Sequence, residues 1–360
     1  MNFKLTVLQA GHGDSILIQG KFGGHPRNIL IDGGAAKTYQ FGVFPGPLKK
    51  KLLEIKENGQ RIDLLVLTHV DDDHINGLLS GFDNNELLAQ LTDKIWFNSG
   101  KLIFKHFNKT PDASNSVYLE GNNTAIGEER KTSIGQGVEF ESLISEKGIW
   151  HEELILAGQK LNEFGIKFTI LSPTEKKLKK LLTVWKRKSP ESLTASGKGD
   201  YSEKFDTILN NDKYTEDTSK SNGSSIAFIF EYKDKRILLL GDAHNSVIVE
   251  SLKKLKYSSE NPIKIDYVKL AHHGSKKNTS EELLNMIDCN NFIFSSNTDI
   301  HRLPNKTTIA RLTKVKPQAT LLFNYPDIIE DIIFKNDADN LSKLRKNGVI
   351  LTGCEDSIEI

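Results

Sequence analysis

Within six residues, His69-Val70-Asp71-Asp72-Asp73-His74, the side chains of His69, Asp71, Asp73 and His74 offer lone pairs of the kind that enclose a divalent cation. Side chains alternate along an extended chain, so His69, Asp71 and Asp73 project from one side. His74 then falls at the start of an expected helix, with Gly77 close behind where a backbone can approach. Imidazole and carboxylate together suit zinc, manganese or iron. The plainer alternative is a solvated acidic turn, because Asp71 to Asp73 would also sit well at a helix N-terminus. Two histidines framing three aspartates weigh against it.

Four further stretches carry chemistry-bearing residues. Gly241-Asp242-Ala243-His244 follows an apolar run, and Gly-Asp alone is a common turn. A carboxylate at the C-terminal end of a buried strand is, however, where layered α/β enzymes collect ligands. Ala271-His272-His273-Gly274-Ser275 places two imidazoles side by side. One can bind a metal while the other hydrogen-bonds a carboxylate or phosphate; a chance pair in a surface loop is the competing reading. His301, beside Arg302, is a candidate proton donor to a leaving group or a phosphate contact, and equally an ordinary loop histidine. Gly11-His12-Gly13-Asp14-Ser15 could cradle phosphate through its backbone. It lacks the lysine of a P-loop, and a tight hairpin explains it as well.

These residues need a scaffold that brings strand ends together. Phe3 to Leu8, Ser15 to Ile18 and Asn28 to Asp32 read as short strands bounded by glycine turns. Pro47 to Asn58 reads as a helix with Leu48, Leu52 and Ile55 on one face and Gly59 as its cap. Ile62 to Thr68 is nearly continuous in apolar residues, the mark of a strand covered on both faces. Later strands are expected at Ile166 to Leu171, Ser225 to Tyr232, Arg236 to Leu240, Tyr267 to Leu270 and Phe292 to Phe294. Helices are expected at Glu281 to Ile287 and Thr307 to Thr313. Strands in two groups with helices between them predict a four-layer αββα sandwich of the α/β class. Residues 98–150 and 186–224 read as insertions, the second as a long surface loop.

Bulk composition narrows the function classes. The chain has 360 residues, 38% hydrophobic and 26% charged, as in an ordinary soluble globular protein. At this length one large domain with insertions, spanning 1–360, is the expectation. A net charge of +1 supplies no global field toward nucleic acid or membrane. Two cysteines form no disulfide framework, and the N-terminus has no secretory pattern. A cytoplasmic protein without a membrane span is expected.

Taken in order, the stretches resemble the metallo-β-lactamase superfamily. Within it they are most similar to the soluble hydrolase domain of the ComEC competence proteins and its stand-alone relatives. Gly11-His12-Gly13-Asp14-Ser15 resembles that group's opening G-x-G-D-S turn, and Ile31-Asp32-Gly33-Gly34 its D-G-G. Thr68 to Leu78 resembles the superfamily's H-x-H-x-D-H-x-x-G-L signature, with Asp71 at the second histidine position. Ser221-Asn222-Gly223-Ser224-Ser225, Leu240-Gly241-Asp242, His272-His273-Gly274-Ser275 and His301 to Pro304 resemble the later motifs. Together they span about residues 3–325.

The resemblance implies one or two divalent ions held by His69, Asp71, Asp73, His74, Asp242 and one of His272 or His273. Asp242 would bridge; His272, nearer the strand end, is favoured as the ligand over His273. A carboxylate at position 71 shifts the expected preference from zinc toward manganese or magnesium. The histidine that the superfamily often places before the bridging aspartate has only His106 and His151 as candidates, neither in a recognisable motif. By the same resemblance the protein is a phosphodiesterase or nuclease acting on DNA or RNA through a metal-activated water. Asp73 would orient or deprotonate that water, and His301 would protonate the leaving group. His12, Asp14, Ser15, Ser275 and Arg302 would contact substrate. Lys176 to Lys180 and Lys186-Arg187-Lys188 could hold a nucleic-acid backbone. A hydrolase of a small ester, lactone or cyclic nucleotide is the second expectation, and a non-catalytic metal-binding regulatory module the third. A protein partner in an accessory or defence system is compatible with a stand-alone version.

Overall fold

The structure, a computed structural model, describes residues 3–107, 133–185, 199–354 and 357–360. The strands of its two main sheets in chain order are β1 (Lys4–Val7), β2 (Ile16–Phe22), β3 (His25–Ile31), β4 (Leu64–Val66), β5 (Ile95–Trp96), β6 (Lys160–Glu163) and β7 (Ile166–Ser172). They continue with β8 (Ala227–Tyr232), β9 (Lys235–Leu239), β10 (Tyr267–Lys269), β11 (Asn291–Phe294), β12 (Thr320–Phe323), β13 (Ile350–Gly353) and β14 (Ile358–Glu359). They make a six-stranded sheet in the order β14-β1-β2-β3-β4-β5 and an eight-stranded sheet in the order β13-β12-β11-β10-β9-β8-β7-β6.

Alternation along the strands assigns the layers. Ile16, Ile18, Ile29, Ile31, Leu64 and Val66 of the first sheet share one buried cluster with Phe168, Phe228, Phe230, Ile237 and Leu239 of the second. Their neighbours Leu17, Leu30 and Leu65 point the other way, into a cluster with Leu48, Leu52, Ile75, Leu78 and Phe140 from flanking helices. Leu238, Val268, Phe292 and Leu321 likewise face a helix-lined cluster with Val249, Leu252, Ile309 and Leu312. The result is the expected αββα sandwich, two sheets face to face with helices outside each. Full burial of each of these large side chains contributes about 1.5–3 kcal/mol.

Strand direction decides where function can gather. β3 pairs parallel with β4 and β4 with β5. β9, β10, β11 and β12 are also mutually parallel. A bond from the amide of Ile226 to the carbonyl of Thr68 (3.0 Å) ties the chain entering β8 to the chain leaving β4. The loops after β3, β4, β9, β10 and β11 therefore open onto one edge of the sandwich.

Some boundaries differ from expectation. Regular pairing in the Ile62–Thr68 run is confined to Leu64–Val66, because the residues beyond it turn toward the site. The helix expected at Glu281 to Ile287 ends at Asn285, and Ile287 pairs with Ile263 instead. The helix around Thr307 to Thr313 extends over Lys306–Val315. Within 98–150, Gly100–Phe107 and Ser133–Ser145 are helices. Gly100 abuts the Trp185 indole so closely that a Cβ there would lie 2.2 Å from Cε2. The reading of 186–224 as a loop is not met in 199–224, which includes the helix Phe205–Asn211 and buries Asp200, Asp217, Ser221 and Ser224. That segment is polar because most of its interior is built from hydrogen-bonded groups rather than apolar ones. Lys186-Arg187-Lys188 lies outside the described residues. β14, only two residues long, pairs with β1 and closes the first sheet's edge. No helix among the described residues is long and apolar enough to cross a membrane.

Candidate metal centre

Three strand ends build the site. After β4 the chain runs through Thr68 and His69 into the helix Asp72–Phe82. Asp71 occupies that helix's N-cap position, yet its side chain makes no capping bond, so the plain cap reading does not describe it. After β9, Gly241 turns the chain at φ 48°, and the Asp242 amide donates to the Ser225 hydroxyl (3.1 Å). After β10, His272 (φ 49°) and His273 (φ 53°) are both left-handed, followed by Gly274 at φ 88°. Left-handed backbone at a non-glycine residue costs about 1–3 kcal/mol and persists where the surroundings enforce it.

That turn aims both imidazoles at one carboxylate. Asp242 Oδ2 lies 3.7 Å from His69 Nε2 and 3.8 Å from His272 Nε2. Its other oxygen, Oδ1, lies 3.5 Å from His74 Nε2 and 3.9 Å from His273 Nε2. Asp71 Oδ2 stands 3.5 Å from His69 Nε2 on the first side. Asp73 Oδ2 stands 3.1 Å from His273 Nε2 on the second, and its Oδ1 lies 3.9 Å from His74 Nε2. Two groups of donors thus share Asp242: His69, Asp71 and His272 on one side, His74, Asp73 and His273 on the other. The preference for His272 over His273 has no counterpart in this geometry, since both approach Asp242 at nearly equal distance.

Each imidazole is oriented from behind. Asp32 accepts the Thr68 amide (2.7 Å) and hydroxyl (2.7 Å) and faces His74 Nδ1 at 2.8 Å. The Thr68 proton is therefore committed to Asp32, and Thr68 Oγ1, 3.0 Å from His69 Nδ1, is left to accept. A proton on Nδ1 of His69, faced at 3.0 Å by both Thr68 and Ser225 Oγ, and on Nδ1 of His74 would turn both Nε2 lone pairs into the site. His273 Nδ1 lies 3.3 Å from Asp14, itself paired with the buried Lys269 ammonium at 2.7 Å and accepting from the Ser295 hydroxyl. His272 Nδ1 lies 3.2 Å from Asn278 Oδ1 and 3.5 Å from Asp217.

The inward atoms have nothing to bond. His69 Nε2, His74 Nε2, His273 Nε2, Asp71 Oδ1 and Asp242 Oδ1 are buried without a hydrogen-bond partner among the described residues. Each such orphan costs about 1–3 kcal/mol. Imidazole nitrogens and carboxylate oxygens converging at these separations suit divalent metal ions, which would satisfy all of them. Burial alone would lower the pKa of His273, but Asp14 and Asp242 outweigh it and lift the imidazole to about 9. Burial opposes charge on Asp73 too, and His74 and His273 nevertheless hold it well below the carboxylate range. Ligand binding here must then displace protons.

The remaining expected residues separate into two sets. His12 and His301 reach the cluster half-buried from the solvent side, with ring centroids 5.6 Å apart, and burial lowers the pKa of both. Arg302 is exposed. Asp14 is a correction: it is 1% exposed and bonded inward to Lys269, Ser295 and His273, so it holds a histidine rather than substrate. Ser15 and Ser275 belong to the same expected set. Both are buried, and Ser275 accepts the Lys277 amide (3.2 Å) within its own turn. His106 pairs with Glu175 (3.0 Å) and His151 with Glu153 (3.9 Å), away from the cluster. The sequence gives no role to Asp32 or Ser225 and no signal for Asp217, Lys269, Asn278 and Ser295. Asp32 was at least visible within Asp32-Gly33-Gly34.

Sequence comparison assigns the class. The Metallo-beta-lactamase superfamily profile matches residues 8–295, and the chain belongs to that superfamily. At that level it is a metal-dependent hydrolase. No curated protein sequence matches it. Among solved structures it aligns with Zn(2+)-bound PqqB from Methylobacterium extorquens at 11% identity and TM-score 0.44, covering 100% of this chain and 99% of that one. A possible metal-dependent hydrolase from Veillonella parvula aligns at 11% identity and TM-score 0.42, with 100% of both chains covered. CmlA, a diiron beta-hydroxylase from Streptomyces venezuelae, aligns at 11% identity and TM-score 0.41. The alignment covers 100% of this chain and 54% of CmlA, so the chain spans about half that protein's length.

Proposed function

We propose that this protein is a phosphodiesterase that cleaves DNA or RNA and is related to the soluble hydrolase domain of ComEC competence proteins. The observation that carries this reading is the division of the Asp242 carboxylate between two groups of donors. His69, Asp71, His272 and Asp242 Oδ2 would hold one ion; His74, Asp73, His273 and Asp242 Oδ1 would hold the other. A pair of divalent ions supplies Lewis acidity, neutralises charge on both the attacking and leaving oxygens, and provides a nucleophile at neutral pH. With Asp71 in the set, manganese is the preferred ion.

The chain's own groups supply positioning. Asp32, Asp14 and Asp217 fix the imidazole rings. Asp73, buried and ionised, orients the attacking water. His12 and His301 face the reacting phosphate from the solvent side, where the leaving oxygen needs its charge neutralised. Lys176, Lys179 and Lys180 on the helix Glu175–Trp185, together with Lys277, are exposed and could track a phosphate backbone. The buried thiols of Cys289 and Cys354, not joined in a disulfide, fit a cytoplasmic location.

The test is hydrolysis of single-stranded DNA, RNA and a cyclic dinucleotide in manganese, zinc and magnesium. Polynucleotide cleavage strongest in manganese is expected. Its absence with every metal would overturn the nuclease reading. The net charge of +1 favours one alternative, a small cyclic or linear phosphodiester, which would appear as turnover of the dinucleotide alone.

A further inference from the structure

We infer that His12, Asp73 and His301 form a third divalent-cation site, filled only when a phosphate group is present; this rests on the two-ion reading above. One nitrogen from each histidine and one oxygen of Asp73 lie within 4.8 Å of one another. Two imidazoles and a carboxylate on one face are a ligand set for manganese, iron or zinc that leaves positions open for substrate oxygens.

The three residues are fixed relative to each other by backbone bonds. The Asp14 amide donates to the Asp73 carbonyl at 3.1 Å, which pins the His12 loop against the helix start. Gly13 makes that approach possible, because a Cβ there would lie 1.8 Å from the Asp73 carbonyl oxygen. The Asn297 amide donates to the Gly11 carbonyl at 2.9 Å, which ties the His301 loop to the His12 loop. The Gly11 amide donates in turn to the Tyr325 hydroxyl at 2.8 Å. Against this fixed backbone, neither the His12 nor the His301 imidazole makes a hydrogen bond among the described residues. Their ring nitrogens remain available.

Charge explains why substrate would be required. Asp71, Asp73 and Asp242 line the centre, with Asp32 and Asp217 behind the histidines and no Lys or Arg paired to any of them among the described residues. Asp14 is already balanced by Lys269. Five carboxylates against two divalent ions leave one unit of negative charge. An arriving phosphodiester adds another, and a third divalent ion at the solvent-side triad would balance both. Placed there, it would neutralise the leaving oxygen as its bond to phosphorus breaks, a role otherwise given to a proton from His301.

The experiment counts protein-bound manganese by elemental analysis after gel filtration, with and without adenosine monophosphate as the phosphate probe. Wild type should carry two ions per chain alone and three with the nucleotide. The double variant His12→Ala, His301→Ala should stay at two under both conditions, which also reports that its inner site is intact. A wild type that remains at two with the nucleotide overturns the inference and leaves the two-ion reading standing. A third ion in the double variant overturns it as well, because the nucleotide then carries manganese elsewhere. Fewer than two ions in wild type alone overturns the two-ion reading itself.

Discussion

The inner ring of histidines and the outer pair differ in what stands behind them. His69, His74, His272 and His273 each have Nδ1 within hydrogen-bonding reach of a hydroxyl, amide or carboxylate. His12 and His301 have no such partner among the described residues, and their rings only stack edge to face. The first arrangement spends buried polar groups on fixed direction, which a resident ion needs. The second leaves rings that can adjust, which suits groups that engage only with substrate. The same residue type thus stands in two settings, and the atoms behind the ring distinguish them.

This contrast can be broken most severely at Asp242. Asp242→Asn removes the carboxylate common to both donor groups, so bound metal should fall from two ions to one or none. Activity should drop by more than about 100-fold, the upper end of what supporting partners alone cost; elemental analysis and turnover check both. Lys269→Met should act on stability. It strands the Asp14 carboxylate in the interior beside His273, and removing one member of a buried ion pair costs about 3–5 kcal/mol. Denaturant unfolding reads that loss, and an unchanged midpoint would show Asp14 to be otherwise compensated.

Asp32→Asn should lower metal affinity about 10–100-fold while the fold survives, because both His69 and His74 lose the group that sets their tautomer. If only one of the two ions weakens, Asp32 supports just one imidazole. Asp71→His should leave two ions bound but move preference from manganese toward zinc; an unchanged preference in competition dialysis would remove Asp71 from the ligand set. The smallest effect concerns pH. The raised pKa of His273 gives the metal-free protein stability that is complete below about 6.5 and is lost as pH rises through about 9. Chelator-treated protein should therefore melt at lower temperature at pH 9 than at pH 7, a difference that metal loading should abolish.

Much of this was legible in the chain because strands and ligands leave strong local signals. Continuous apolar runs such as Ile62 to Leu67 marked the covered strands, and His69 to His74 is dense enough to identify itself. The supporting residues were not legible. Asp217 comes from a polar segment with no periodicity, and its relation to His272 exists only because the chain returns beneath the turn after β10. Lys269 sits in an apolar run, where a lysine reads as an exposed strand residue; only the fold shows it 1% exposed against Asp14. A glycine-rich turn with a serine suggests a phosphate cradle at Asp14 and Ser15. The turn instead packs against the Asp73 backbone and faces its polar groups inward.

His272 and His273 have one more implication. They are adjacent in the chain yet address opposite oxygens of the same carboxylate. Their Cα atoms are about 3.8 Å apart, while the left-handed turn splays the rings to centroids 5.9 Å apart, so one turn of backbone holds a donor on each side of Asp242. Paired catalytic ions work at about 3.5–4 Å. Were two such ions bound as proposed, both would depend on this one turn, so a residue inserted between His272 and His273 should disturb both donor groups at once.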